Sequence, residues 1–174
     1  MSGLRFESGK AAGEILSRWR RGLDENRGSR AGLRRCANLT QVVLEPAFHR
    51  LCQDLSALPG ITIRRERLPA VVLLVAVAEW QEGEGEQGER PSLPRQMGLP
   101  GEGNRSPVSE LRFRRLLQCQ EQGDLTQEMR RILGVLGQKV DIYGLANAVY
   151  HWGDGVRKEW AYAYFGAMPQ QEKK

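Results

Sequence analysis

Apolar residues recur every three or four positions along most of the chain, which is the spacing of one face of an α-helix. In the N-terminal half these stripes comprise Ala12, Ile15, Leu16, Trp19 and Leu23, then Leu33, Cys36 and Ala37, then Phe48, Leu51, Cys52 and Leu55. In the C-terminal half they comprise Phe113, Leu116 and Leu117, then Leu125, Met129, Ile132, Leu133 and Leu136, then Ile142, Leu145, Ala146 and Val149, then Val156, Trp160, Ala163 and Tyr164. The pattern predicts a series of amphipathic helices. We expect Ser29, Asp124, Asp141 and Asp154 to act as N-caps of four of them.

Residues 68–80, LPAVVLLVAVAEW, are apolar on every side rather than on one face. Their valines would suit a buried strand, but 13 residues is long for one and no partner strand is visible. We therefore predict a buried helix at the centre of the N-terminal half.

Residues 81–107 are dominated by glycine, proline and glutamate and can bury little apolar surface. We interpret this stretch as a long flexible linker between two small helical bundles, residues 1–80 and 108–174. The predicted fold class is all-α, with short connections favouring antiparallel packing in the C-terminal bundle.

Positive charge is unevenly distributed along the 174 residues, whose formal net charge is +5. Residues 1–70 hold 13 Lys and Arg against 7 Asp and Glu, residues 71–110 hold 3 against 7, and residues 111–174 hold 10 against 7. Two basic blocks separated by an acidic one are consistent with a surface that binds a polyanion.

The chain lacks the residue clusters that catalysis or metal binding requires. Neither His49 nor His151 has a second ligand at suitable spacing, and the aspartates are better explained as helix caps. We predict no catalytic residue, no metal site and no cofactor. The three cysteines are far apart in sequence and are expected to be free thiols in a reducing cytoplasm. No signal peptide is evident, and the most apolar run is too short to span a membrane.

Arginine is the residue type that stands out, with 21 arginines against 5 lysines. Its planar fork binds phosphate better than the point charge of lysine does, although any single arginine can equally belong to a solvated helix face. The candidate nucleic-acid-binding residues are Arg27, Arg30, Arg34, Arg35, Arg112, Arg115, Arg130, Arg131, Arg157 and Lys158. Among the aromatic residues, Trp160 and Tyr164 are predicted to be core. Tyr162 lies off their stripe and is a candidate for stacking or for an interface.

Several of these segments, in this order and spacing, resemble the small (CasB) subunit of the type I-E CRISPR Cascade complex. The similarity runs from about residue 10 to 167 and is carried by GSRAGLRRC, SELRFRRLLQ, MRRIL and YHWGDGVRKEWAYAYF. It implies a non-catalytic, all-helical subunit of an antiviral complex, present in two copies beside other Cascade subunits and the crRNA. It also implies that basic residues hold target DNA, particularly the displaced non-target strand, and thereby stabilise the R-loop. The family's contact positions correspond to Arg34, Arg35, Arg112, Arg131 and Arg157.

Two other functions remain open from the sequence. In a purely structural adaptor, the arginines would form salt bridges with partner subunits instead of binding DNA. A small nuclease would need a cluster of carboxylates or histidines, which the sequence does not offer.

Overall fold

The computed structural model describes residues 2–80, 90–137 and 140–170. The helices are α1 (Ala11–Glu25), α2 (Arg27–Arg35), α3 (Leu39–Val43), α4 (Pro46–Ser56), α5 (Leu68–Val77), α6 (Leu93–Gly98), α7 (Glu110–Gln118), α8 (Gln122–Leu136), α9 (Ile142–Tyr150) and α10 (Asp154–Ala167). Two short 3₁₀ turns, Arg65–Arg67 and Glu102–Asn104, and one parallel pairing of β1 (Ser2–Gly3) with β2 (Ile61–Thr62) complete the elements. The predicted all-α class is confirmed.

Helix α5 lies at the centre of the molecule. Residues 68–76 are all buried, because α5 has apolar side chains on every face. It packs against α1 to α4 of the N-terminal half and against α8 and α9 of the C-terminal half. The predicted central buried helix is confirmed, although it ends at Val77 rather than at Trp80.

The two halves of the chain share one hydrophobic core around α5. The N-terminal arm adds to this connection, since the backbone N–H and carbonyl of Phe6 pair with the Asn147 side chain of α9 at 2.8 Å each. His151 Nε2 also lies 2.7 Å from the carbonyl oxygen of Leu4. The architecture of two separate bundles is thus not confirmed, and the domain boundaries at residues 80 and 108 stay a prediction.

Helix α6 lies within the stretch that the sequence predicts to be a flexible linker. Leu93 and Met97 of α6 are buried in the core, and α6 packs closely against α10. A Cβ on Gly98 would lie only 2.5 Å from the carbonyl oxygen of Tyr164, so only glycine allows this approach. Residues 90–107 therefore contain a packed helix, which their high glycine and proline content does not indicate. Residues 81–89 of the predicted linker lie outside the described residues.

The C-terminal helices meet around stacked aromatic rings. Tyr164 stacks on Phe113 with ring centroids 3.8 Å apart, and Trp160 meets Trp152 edge to face at 5.4 Å. The hydroxyl of Tyr164 donates to the carbonyl oxygen of Val108 at 2.6 Å. Burial, with a smaller effect of the Glu110 carboxylate, raises the pKa of Tyr164 to about 12. The prediction that Trp160 and Tyr164 belong to the core is confirmed.

The predicted helix caps are confirmed in part. The carboxylate of Asp141 accepts from the backbone N–H of the second residue of α9 at 2.9 Å, as predicted. The prediction for Ser29 is wrong, because α2 begins earlier and Asn26 caps it, accepting from the Ser29 N–H. Asp124 and Asp154 lie in the first turns of α8 and α10 rather than at the N-cap, where their charge still favours the positive helix end.

The described ranges bear on the predictions about membrane spans, metal sites and cysteines. None of the helices there is long and apolar enough to cross a membrane. Those residues also hold no group of three or more His, Cys, Asp or Glu side chains placed to bind a metal ion. Cys36, Cys52 and Cys119 are free thiols, and burial raises the pKa of each.

Candidate nucleic-acid interface

A buried arginine caps the C-terminal end of α5. Arg20 is only 1% exposed, and its Nε and Nη2 donate to the carbonyl oxygens of Val75 at 3.0 Å and Ala78 at 2.9 Å. Its Nη1 binds the Asp24 carboxylate at 2.6 Å. The last carbonyls of a helix have no intrahelical partner, so a buried helix end needs such donors. The apolar spacing alone predicts Arg20 to lie off the stripe of α1, and this prediction is wrong, because Arg20 lies one turn after Leu16 and is buried with it.

Arg30, predicted as a nucleic-acid contact, caps the same helix end. Its Nε donates to the Ala76 carbonyl oxygen at 3.0 Å and its Nη2 to that of Ala78 at 3.4 Å. Two carboxylates, Asp24 at 3.4 Å and Glu79 at 3.6 Å, pair with the same guanidinium, which is only 18% exposed. Arg30 therefore uses its hydrogen-bond donors within the fold.

Several guanidinium groups lie close together around Arg30, at the C-terminal end of α5. Burial lowers the pKa of Arg30, and the neighbouring guanidinium groups of Arg20 and Arg34 lower it further. The carboxylates of Glu79 and Asp24 act in the opposite direction. Arg34 thus lies close enough to the α5 cap to add to one positive region.

Arg130 connects the two halves of the chain. From α8, its Nη1 donates to the carbonyl oxygen of Cys36 at 2.8 Å, and its Nη2 donates to that of Arg34. These are the carbonyls at the C-terminal end of α2, so Arg130 caps this helix. The contact joins the Arg130 side chain of α8 to the end of α2 that carries Arg34 and Arg35, and Arg131 follows Arg130 on α8. We call these four residues the α2–α8 arginine cluster.

A cleft of about 440 Å³ lies at this junction, between α2, the end of α5 and α8. Arg34 and Arg130 line it, together with Glu79 and the residues that follow α5. Two arginines that are 96 positions apart in sequence therefore share one concave surface.

Three members of the cluster keep guanidinium groups available to an external anion. Arg34 and Arg35 are exposed, and within the described ranges their side chains make no hydrogen bond or ion pair. Arg131 is also exposed and pairs with Glu128 at 2.8 Å, one turn earlier on α8. Such a surface pair contributes little, so a phosphate can displace it at small cost.

Helix α7 carries a second group of arginines. Arg112 and Arg115 are exposed, and neither side chain has a hydrogen-bond or ion-pair partner in the described part of the chain. Arg114, between them in sequence, is held by Glu110 at 2.8 Å and lies 5.6 Å from the ring centre of Phe165. Helix α7 packs against α8, but no hydrogen bond or ion pair among described residues links its arginines to the α2–α8 arginine cluster.

The remaining candidates differ in availability. Arg27, at the start of α2, and Lys158, on α10, are exposed and have no charged partner among the described side chains. Arg157 is mostly buried, pairs with Asp154 at 3.4 Å, and has a buried Nε without a hydrogen-bond partner. These surroundings favour a role for Arg157 within the fold rather than in binding an external anion.

Comparison with known proteins relates this chain to a protein family. No curated protein matches the chain. A chain in the crystal structure of E. coli Cascade bound to a PAM-containing dsDNA target shares the fold, with a TM-score of 0.66 and 21% sequence identity over 88% of this chain and 93% of that chain. The family model for CRISPR-associated protein Cse2 (CRISPR_cse2) matches residues 29–165, from α2 to α10, which is more than half of the sequence. The resemblance to the CasB small subunit is thereby confirmed, and the chain belongs to the CRISPR-associated protein Cse2 family.

Proposed function

We propose that this protein is a non-catalytic subunit of a crRNA-guided Cascade complex in the cytoplasm, and that it stabilises the R-loop by holding the displaced non-target DNA strand. Membership of the Cse2 family supports the assignment to the complex. The related chain comes from a Cascade structure that contains a dsDNA target, which supports DNA as a partner. The other partners we propose are the remaining Cascade subunits with their crRNA and a second copy of this chain.

The α2–α8 arginine cluster is the observation that carries the proposal. Arg34, Arg35 and Arg131 are exposed and come from both halves of the chain, while Arg130 joins α8 to the end of α2 by binding the backbone carbonyls of Arg34 and Cys36. Guanidinium forks match phosphate geometry, so such a surface binds a nucleic-acid backbone without reading its bases.

We divide the predicted contacts according to these environments. Arg30, Arg130 and Arg157 are proposed to support the surface, because their guanidinium groups are engaged or largely buried within the fold. The proposed phosphate contacts are Arg27, Arg34, Arg35, Arg112, Arg115, Arg131 and Lys158.

A modest contact energy is enough for this function. Replacing one strand of a DNA duplex by the guide RNA is nearly balanced in free energy, so protein contacts to the strand backbones can decide the outcome. Holding the displaced strand opposes its return to the duplex and thereby lengthens the life of the R-loop.

Salt dependence tests the phosphate contacts. Seven contacts to a single strand predict a slope of log K against log salt of about −5, from roughly 0.7 per contact. Substituting Arg34→Gln, Arg35→Gln and Arg131→Gln together should reduce this slope by about 2 and lower affinity about 100-fold at about 0.1 M salt. A matched control, with the same loss of charge on exposed arginines elsewhere, is Arg18→Gln, Arg50→Gln and Arg105→Gln. Equal effects of the two triple variants would refute a defined contact surface.

A structural adaptor is the second candidate, and exposed apolar residues favour it. Leu44 is 76% exposed, and beside it Val43, Phe48 and Pro69 line a groove of about 510 Å³ between α3, α4 and α5. In an adaptor the arginines would bind partner subunits, so reversing their charge would prevent assembly of the complex. Size-exclusion chromatography of the reconstituted complex distinguishes the two functions, since the DNA-holding role predicts intact assembly.

A further inference from the structure

Two aromatic side chains lie on the surface of α10 instead of in the core. Tyr162 is 83% exposed, the most of any large apolar or aromatic side chain in the described ranges, and Phe165 is 41% exposed. Residues three apart on a helix are surface neighbours, so the two rings belong to one face. Lys158, one turn before Tyr162, is exposed on that face and has no charged partner among the described residues.

Helix α7 places more positive charge beside these rings. The ring of Phe165 meets Phe113 of α7 edge to face at 6.0 Å, and the guanidinium carbon of Arg114 lies 5.6 Å from the Phe165 ring centre. The Arg114 side chain is exposed and pairs with the Glu110 carboxylate at 2.8 Å, one turn earlier on α7. We call Lys158, Tyr162, Phe165 and Arg114 the α7–α10 platform.

The composition of this platform fits single-stranded nucleic acid better than a protein partner. Surfaces that bind single strands combine cationic side chains along the backbone path with aromatic rings on which bases stack. Protein–protein interfaces are likewise enriched in tyrosine, phenylalanine and arginine, but they are depleted in lysine, and Lys158 lies one turn before Tyr162. Here Lys158 of α10 and Arg114 of α7 are the exposed cations beside the rings, and the neighbouring carboxylates are Glu110, which pairs with Arg114 at 2.8 Å, and the exposed Glu159.

We propose that Tyr162, next to Phe165, stacks on an unpaired base of a DNA strand whose phosphates are bound by Lys158 and by Arg114, whose exposed pair with Glu110 a phosphate can displace at small cost. The inference rests on the proposed function and deepens it, because phosphate contacts alone do not distinguish a single strand from a duplex. Bases in a duplex are already stacked on their neighbours and cannot cover a side-chain ring. The platform would therefore make the protein selective for the displaced strand.

Abasic DNA separates base stacking from phosphate binding. With a single strand that carries its bases, Tyr162→Ala should weaken binding by about 5- to 150-fold, equivalent to the roughly 1–3 kcal/mol of one stacked base. With an abasic strand of equal length and charge, the same substitution should have no effect. Tyr162→Phe keeps the ring and should bind both strands like the unmodified protein. Leu44→Ala, which removes an exposed apolar side chain far from α10 in sequence, is the control.

Each outcome bears on one of the two proposals. If Tyr162→Ala leaves binding unchanged while the triple arginine substitution still weakens it, the stacking platform is refuted and the phosphate surface stands. If neither strand binds the full-length protein or the assembled complex, the proposed function fails and the platform with it. If Tyr162→Ala releases a subunit from the complex without changing DNA affinity, the patch is a protein interface, and the stacking inference is wrong.

Discussion

Replacing the buried arginine of α1 tests how the central helix is held. Arg20→Met keeps an unbranched chain of similar length but removes all the donors that the guanidinium offers. In the described chain the carbonyl of Val75 accepts a hydrogen bond from Arg20 only, at 3.0 Å, so it would become a buried acceptor without a partner. The carbonyl of Ala78 would keep the longer bond from Arg30, and the half-exposed Asp24 would turn to water.

These contacts set the expected loss of stability. A buried acceptor left unsatisfied costs about 1–3 kcal/mol, and a lost hydrogen bond from a charged donor contributes a similar amount. Part of the loss is offset because a methionine at position 20 no longer requires burying a charge. We therefore expect the free energy of unfolding to fall by about 2–4 kcal/mol.

Urea unfolding followed by circular dichroism measures this change. With a slope of about 2 kcal/mol per molar urea, the midpoint should fall by about 1–2 M. The matched control is Arg18→Met, the same substitution on the same helix at an exposed position, where a change within about 0.5 kcal/mol is expected. If the two variants unfold at the same urea concentration, Arg20 does not stabilise the end of α5.

Three further sets of substitutions test other parts of the structure. Arg130→Met should lower the free energy of unfolding by about 1–3 kcal/mol because it removes the cap of α2. Arg131→Met should instead weaken DNA binding and leave the urea midpoint unchanged. The reverse pattern would contradict the division between supporting and contacting arginines. Gly98→Ala should destabilise the protein by more than about 1 kcal/mol, because the added Cβ would lie 2.5 Å from the carbonyl oxygen of Tyr164. Gly134→Ala, which has open space around it, should instead stabilise α8 by about 0.5–1 kcal/mol. Because the pKa of Tyr164 is raised to about 12, its contribution to stability is complete below about pH 10, where the unfolded tyrosine begins to ionise, and is lost as pH rises through about 12. Tyr164→Phe should abolish that part of the decline, as measured by urea unfolding at about pH 9 and pH 11.5; an equally steep decline in both proteins would refute the assignment.

The helices and their inward faces could be predicted from the sequence because apolar spacing is a local property. The stripes of α1, α8 and α9 are buried as expected, and so is the uniformly apolar α5. Local spacing does not say which helices meet. No local pattern therefore predicts that α5 packs against both halves and joins them in one core.

Helix α6 shows a second limit of sequence patterns. It has only six residues and includes Pro94 and Gly98, which indicate a loop when considered singly. Its stability comes from packing, because Leu93 and Met97 are buried and Gly98 allows close contact with α10. Such a helix depends on tertiary contacts rather than on its own propensity.

The roles of the arginines could be predicted least. Arg130 and Arg131 are neighbours in sequence, yet the first caps α2 and the second is exposed. The difference depends on carbonyls more than 90 positions away, at Cys36 and Arg34, which no pattern around Arg130 reveals. Composition identifies arginine as the important residue type, but only the packing of the helices separates supporting arginines from available ones.

The lifetime of the R-loop formed by the assembled complex tests the central proposal most directly. The complex would carry either the unmodified subunit or one with Arg34→Glu, Arg35→Glu and Arg131→Glu, and size-exclusion chromatography would first verify equal assembly. We predict that the charge reversal shortens the R-loop lifetime by at least about tenfold, and more strongly at low salt, while assembly is unchanged. An unchanged lifetime in a fully assembled complex would contradict the proposal that this arginine surface holds the displaced strand.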